Sequence, residues 1–128
     1  MYEPRGTHCL LELTGCPPGR LADPEAVARA IREAATAAGA TLVDLRCHQF
    51  DRGGVTAVAL LSESHLSVHT WPEHGYAAAD IFTCGDRSDP QAACRRLAAS
   101  LAAGEHHMRT LPRGVPADLA AATSGESD

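Results

Sequence analysis

The chain has 128 residues, of which 45% are hydrophobic and 21% charged, and its formal net charge is −5; this length suits one domain spanning 1–128, and the acidity argues against a nucleic-acid partner. All eleven basic residues are arginine, which excludes enzymes that use a lysine Schiff base, pyridoxal phosphate on a lysine, or a lysine-type phosphate loop. No apolar run approaches the ~20 residues of a membrane span, and the N-terminus lacks the apolar stretch of a signal peptide, so we expect a cytoplasmic protein without a membrane partner.

The first part of the chain predicts a strand followed by a helix. Residues 8–13 are typical of a strand, which ends in the turn-forming residues 15–19. Asp23-Pro24-Glu25 predicts the start of a helix, because aspartate caps free amide groups and proline suits the first turn. Apolar residues then recur at helical spacing as far as Ala38, and Gly39 predicts the C-terminal end.

The rest of the chain predicts more strands and a second helix. Period-two alternation indicates strands over 41–50, 55–61, 66–71 and 76–84. A helix is predicted from Asp89-Pro90 to Gly104, then a short strand over 108–111, and residues 115–128 are expected to form a flexible tail. The order βαββββαβ predicts an α/β fold of the α+β type: a two-layer sandwich whose antiparallel-rich sheet carries two helices on one face.

Reactive side chains are concentrated between Ser62 and Cys84, where three of the seven histidines lie. His65 and His69 are four residues apart, a zinc-ligand spacing on a helix, but the strand alternation argues against a metal site there. No G-x-S-x-G motif surrounds Ser64, which argues against a hydrolase that uses Ser64 or Cys84 with His69. From these residues alone, the favoured interpretation is that they are polar side chains on the solvated face of a half-buried sheet.

The run from Ser62 to Asp86, SESHLSVHTWPEHGYAAADIFTCGD, closely resembles the signature of the prokaryotic S-adenosylmethionine decarboxylase proenzymes. The resemblance extends in order and spacing to four further segments, 8–16, 37–50, 53–56 and 111–114. It covers roughly residues 6–114, and its length and chemical specificity favour family membership over a chance match.

The resemblance implies that the chain cleaves itself and makes its own carbonyl cofactor. Ser64 Oγ would attack the carbonyl of Glu63, and elimination from the resulting ester would leave fragments 1–63 and 64–128, the second beginning with a pyruvoyl group. In this family the processing roles fall on the positions of His69, as the base, and of Thr56, where a serine is more common.

The resemblance also implies decarboxylation of S-adenosylmethionine, with the pyruvoyl carbonyl forming a Schiff base with the substrate amine, for aminopropyl transfer in spermidine synthesis. Cys84 would return a proton to the α-carbon, Phe50 would stack on the adenine, Glu73 would accept hydrogen bonds from the ribose, and Trp71 would form part of the pocket wall. The implied assembly is a homodimer, without a metal. Two alternatives are the same chemistry on arginine or ornithine, and an uncleaved binding or regulatory homologue.

One geometric conflict follows from the strand prediction. Ser64 and His69 are five residues apart, and an odd offset on a continuous strand directs two side chains to opposite faces. We therefore expect a bend or bulge at Ser64, before the regular part of the strand, or a histidine contributed by another chain.

Overall fold

The computed structural model describes residues 4–85 and 88–122, and it contains the predicted elements in the predicted order. Its six strands are β1 (Arg5–Thr14), β2 (Leu42–Gln49), β3 (Val55–Leu61), β4 (Ser64–Trp71), β5 (Tyr76–Cys84) and β6 (Glu105–Gly114). Its helices are α1 (Pro18–Leu21), α2 (Pro24–Ala38), α3 (Pro90–Ser100) and α4 (Pro116–Ala122), with a 3₁₀ turn at Pro72–His74.

The strands form one antiparallel sheet in the order β2-β3-β4-β5-β1-β6. Helices α2 and α3 pack against each other and cover one face of this sheet, which confirms the predicted α+β sandwich. Many of the buried side chains between the two layers are alanines. No helix in the described part of the chain is long and apolar enough to cross a membrane.

The predicted bounds of α2 are confirmed by its end residues. The Asp23 side chain accepts a hydrogen bond from the Glu25 amide at 3.0 Å, and Gly39 adopts a left-handed conformation with φ 73°. A side chain at that φ would meet steric resistance that glycine avoids.

Several boundaries differ from the predictions, most of all at α3, at β6 and in the predicted tail. Helix α3 ends at Ser100 rather than near Gly104, because the chain turns at Ala102, which has a positive φ of 54°. Strand β6 is longer than the predicted segment 108–111, because it pairs with β1 along its whole length. Most of its side chains are exposed, so its sequence lacks the alternation of buried and exposed residues that would indicate a strand. The predicted tail begins with helix α4, and residues 123–128 lie outside the described part of the chain.

The second face of the sheet carries the alternate side chains of each strand. In β4, Leu66, Val68 and Thr70 point into the core, so the intervening residues point to the opposite face. The neighbouring strand β3 places Val58 and Leu60 on that same face, where they are 46% and 54% exposed. Within the described residues this face is therefore only partly covered and partly apolar.

Candidate active site

Ser64 lies at the end of the tight turn that joins β3 to β4. Leu61 pairs with Ser64 across the hairpin, so Ser62 and Glu63 form a two-residue loop. Ser64 has φ 153°, a conformation that residues with a side chain rarely adopt and that stores backbone strain. The expected irregularity is therefore located at Ser64 itself, the first residue of β4.

Glu63 is held in place through both its side chain and its backbone. Its side chain is buried, with the residue only 8% exposed, and Oε1 accepts a hydrogen bond from the Thr41 amide at 3.1 Å. Its main-chain carbonyl accepts a hydrogen bond from the Cys84 amide at 3.0 Å. A backbone amide aimed at a carbonyl oxygen stabilises negative charge that develops there when the carbon is attacked. This contact also places Cys84 beside the Glu63–Ser64 bond.

A chain of hydrogen bonds leads away from Ser64. Ser64 Oγ lies 3.5 Å from His65 Nδ1, and His65 Nε2 lies 3.1 Å from Asp80 Oδ2. The same Asp80 oxygen lies 2.6 Å from His8 Nε2, and Ser67 Oγ donates to the other oxygen. We call the group Glu63, Ser64, His65, Asp80 and Cys84 the serine cluster.

The environment of Asp80 holds its carboxyl group in the charged form. Partial burial by itself would raise the pKa of Asp80, but hydrogen bonds from Ser67, His8 and His65 outweigh it and lower the pKa below its ordinary value of 3.8. Sequence reasoning missed His8 and Asp80 and considered His65 only as a metal ligand. A signal was present, since Asp80 is a lone acid within the otherwise uncharged strand 76–84.

A second group of predicted residues lies at the other end of β4. Thr56 and His69 face each other across β3 and β4, with Thr56 Oγ1 3.1 Å from His69 Nδ1. These two residues line a cavity of about 340 Å³ together with Phe50, Trp71 and Glu73. Phe50 is 52% exposed and Trp71 41% exposed, so both rings offer free apolar surface. We call these five residues the pocket cluster.

The two clusters are well separated within one chain. The five residues from Ser64 to His69 span about 16 Å of extended strand, whereas proton transfer needs contact at about 3 Å. The structure therefore brings Glu63, Ser64 and Cys84 together, and brings Phe50, Thr56, His69, Trp71 and Glu73 together, but it does not join the two groups. The irregular backbone at Ser64 does not close this gap.

The histidines of β4 are also potential metal ligands. His65 and His69 lie on one strand, about 13 Å apart, too far to share an ion. Among the described residues, His8, His65 and Asp80 bring potential ligand atoms within 4.8 Å of one another. In this arrangement both histidines lie within hydrogen-bonding distance of the same carboxylate oxygen.

Comparisons with known proteins agree with the resemblance found in the sequence. A family model described as S-adenosylmethionine decarboxylase matches residues 7–114. An S-adenosylmethionine decarboxylase proenzyme from Prochlorococcus marinus (strain MIT 9313) is 50% identical over 117 residues, which cover 91% of this chain and 94% of that protein. A proenzyme of the same name from Moorella thermoacetica is 44% identical over 110 residues, or 86% of this chain and 88% of that one. The crystal structure of the adenosylmethionine decarboxylase from Aquifex aeolicus VF5 superposes with a TM-score of 0.81 at 33% identity, covering 88% of this chain and 93% of that chain.

Proposed function

Because the chain belongs to the S-adenosylmethionine decarboxylase family, we propose that it decarboxylates S-adenosylmethionine with a pyruvoyl group that it makes from its own Ser64. The observation that carries the proposal is the environment of the Glu63–Ser64 bond. A strained serine follows a buried residue whose carbonyl oxygen is already hydrogen-bonded by a backbone amide. The product would be an aminopropyl donor of the kind used in polyamine synthesis.

Cleavage would begin with attack of Ser64 Oγ on the carbonyl carbon of Glu63. The Oγ–H and peptide C–N bonds break and an ester C–O bond forms, with the proton passing from the hydroxyl to the departing amine. Loss of the Cα proton then expels the Glu63 carboxylate and leaves dehydroalanine, which hydrolyses to a pyruvoyl group and ammonia. The Cys84 amide supports the first step, because it would stabilise the oxygen that becomes negative.

The residues around Ser64 fit a carbonyl cofactor at this position. After cleavage, residue 64 would head β4, which remains anchored by pairing with β3 and β5. A pyruvoyl group supplies an electron-accepting carbonyl for amino acid decarboxylation, a role that lysine-bound cofactors fill in other enzymes. The Cys84 side chain lies on the adjoining strand end and would deliver the proton that replaces carbon dioxide.

The pocket cluster would bind the nucleoside part of the substrate. The exposed Phe50 ring offers a face for stacking on adenine, with the Trp71 ring as a second apolar wall. The Glu73 carboxylate, at the same cavity, would accept hydrogen bonds from the ribose hydroxyl groups.

The separation of the two clusters supports a homodimer. One substrate would have to reach both a pocket cluster and residue 64, which are about 16 Å apart in a single chain. In a twofold dimer built on the partly apolar open face, Ser64 of one protomer would meet His69 of the partner subunit, and each chain would contribute to both sites. The exposed Val58 and Leu60 give that face apolar surface to bury.

Two measurements test the proposed function. Denaturing mass spectrometry of the purified protein should show fragments 1–63 and 64–128, the second blocked to N-terminal sequencing, whereas Ser64→Ala should remain full-length and inactive. Release of carbon dioxide should be fastest from S-adenosylmethionine when arginine and ornithine are compared side by side. A wild-type chain that stays intact would contradict the cleavage, and preference for arginine or ornithine would contradict the substrate.

A further inference from the structure

We infer that His65, oriented by Asp80, is the base that takes the hydroxyl proton from Ser64 in the first step of cleavage. The inference rests on the proposed self-cleavage and assigns a residue within it. The base that the family resemblance implies, His69, is left for the later step of the same process, the loss of the Cα proton from residue 64, so cleavage still requires it. The geometry within one chain favours His65, because its Nδ1 is 3.5 Å from Ser64 Oγ while His69 is hydrogen-bonded to Thr56 at the other end of β4.

The tautomer of neutral His65 follows from its neighbours. Asp80 is an acceptor, since its lowered pKa keeps it ionised and three side chains contact it. His65 Nε2 must therefore carry the hydrogen that is donated to Asp80. In a neutral imidazole this leaves Nδ1 as an acceptor, facing the Ser64 hydroxyl. The serine, histidine and aspartate are thus connected in the order that hydrolytic triads use.

A second histidine, His8, also donates a hydrogen bond to Asp80 and so stabilises its carboxylate. Arg113 Nη1 lies 3.1 Å from His8 Nδ1, and because arginine can only donate, His8 must carry its hydrogen on Nε2 and donate it to Asp80. The charged and titratable side chains seen to face His65 are thus Asp80 from β5 and His8 from β1, with Arg113 of β6 behind His8. An ionised Asp80 would stabilise the imidazolium that forms when His65 accepts the proton.

The proton balance of the step is complete within these groups. As Oγ bonds to the Glu63 carbon, its hydrogen moves to His65 Nδ1. The peptide C–N bond then breaks and the same proton passes from Nδ1 to the departing Ser64 nitrogen, which restores neutral His65. The 3.5 Å contact is at the long end of a hydrogen bond, as is common for proton-transfer pairs before reaction begins.

The test follows newly synthesised precursor in a cell-free translation reaction, sampled over time and analysed by denaturing mass spectrometry. His65→Gln should slow cleavage by about 10²- to 10⁴-fold, the usual contribution of a positioned general base. Its matched control is His106→Gln, an exposed histidine on β6, which should cleave at the wild-type rate. Equal rates for His65→Gln and wild type would overturn the inference.

Treatment with hydroxylamine separates the first step from later ones, because hydroxylamine cleaves esters and spares ordinary peptide bonds. The uncleaved His65→Gln chain should resist it, since its Glu63–Ser64 linkage would still be an amide. A hydroxylamine-sensitive chain would show that the ester forms without His65 and would refute the inference. The proposed function fails in a different way, namely if wild type itself does not cleave.

Asp80 provides an independent variant in case His65→Gln does not fold. Asp80→Asn should slow ester formation at least about tenfold, because the amide no longer fixes the tautomer or stabilises the imidazolium, and Asp80→Glu should restore part of the rate. Rates unchanged in both variants would overturn the inference. So would loss of wild-type cleavage in the presence of a metal chelator, since His8, His65 and Asp80 would then act as ligands of an ion.

Discussion

The distance between Ser64 and His69 can be tested by complementation, in which two variants that do not cleave on their own restore cleavage when they form a mixed dimer. One chain carries His69→Gln and keeps Ser64; the other carries Ser64→Ala and keeps His69. Neither should cleave when expressed alone. In a mixed dimer with the proposed twofold arrangement, one site combines Ser64 of the first chain with His69 of the second and is intact, while the other site carries both substitutions.

The expected extent of cleavage follows from the symmetry. About half of the chains that retain Ser64 enter mixed dimers when equal amounts pair at random, so about half of them should be cleaved and none of the others. An arrangement with both residues in one chain predicts no cleavage at all. It would also require two side chains about 16 Å apart along one strand to come into contact.

The assay is co-expression followed by denaturing mass spectrometry, with the Ser64→Ala chain distinguished by a C-terminal tag. Native mass spectrometry of the same sample counts the mixed dimers. If mixed dimers are abundant and every chain is intact, His69 does not act across the interface and the proposed arrangement is wrong. Cleavage of the His69→Gln chain on its own would equally refute it, because His69 would then not be needed.

Three further predictions concern single residues. Cys84→Ala should still cleave, because the hydrogen bond to Glu63 comes from the backbone amide, but carbon dioxide release should fall at least about tenfold; normal turnover would remove Cys84 from the proton-donor role. Phe50→Ala should raise KM for S-adenosylmethionine by about 5- to 150-fold, corresponding to about 1–3 kcal/mol of lost stacking, with cleavage unaffected; an unchanged KM would show that the ring does not contact the adenine. In the uncleavable Ser64→Ala background, the stability that ionised Asp80 contributes should be present above its ordinary pKa of 3.8 and disappear as the pH falls through the lower folded-state pKa. Urea unfolding should therefore show that the loss of unfolding free energy caused by Asp80→Asn shrinks in acid. A loss that does not change with pH would count against the ionised carboxylate.

Local sequence patterns predicted most of the fold because the signals were strong and short-range. Asp23 and Gly39 mark the ends of α2 by their own capping chemistry, and the alternation in 55–61 follows directly from one buried and one open face. Strand β6 was underestimated because its pairing with β1 involves residues about 100 positions apart. No short window of sequence contains that partner.

For the candidate site, the sequence by itself determined the reactive residue types, Ser64 after Glu63 and Cys84 twenty residues later. Through the family resemblance it also predicted that Phe50 and Glu73 belong to one binding pocket. Tertiary structure alone decided which of them meet. It separated His69 from Ser64 along one strand, and it placed Asp80 and His8 around His65. The physical reason is that cross-strand neighbours are set by sheet register, which depends on the pairing of distant segments, whereas the chemistry of each side chain is fixed by its residue type.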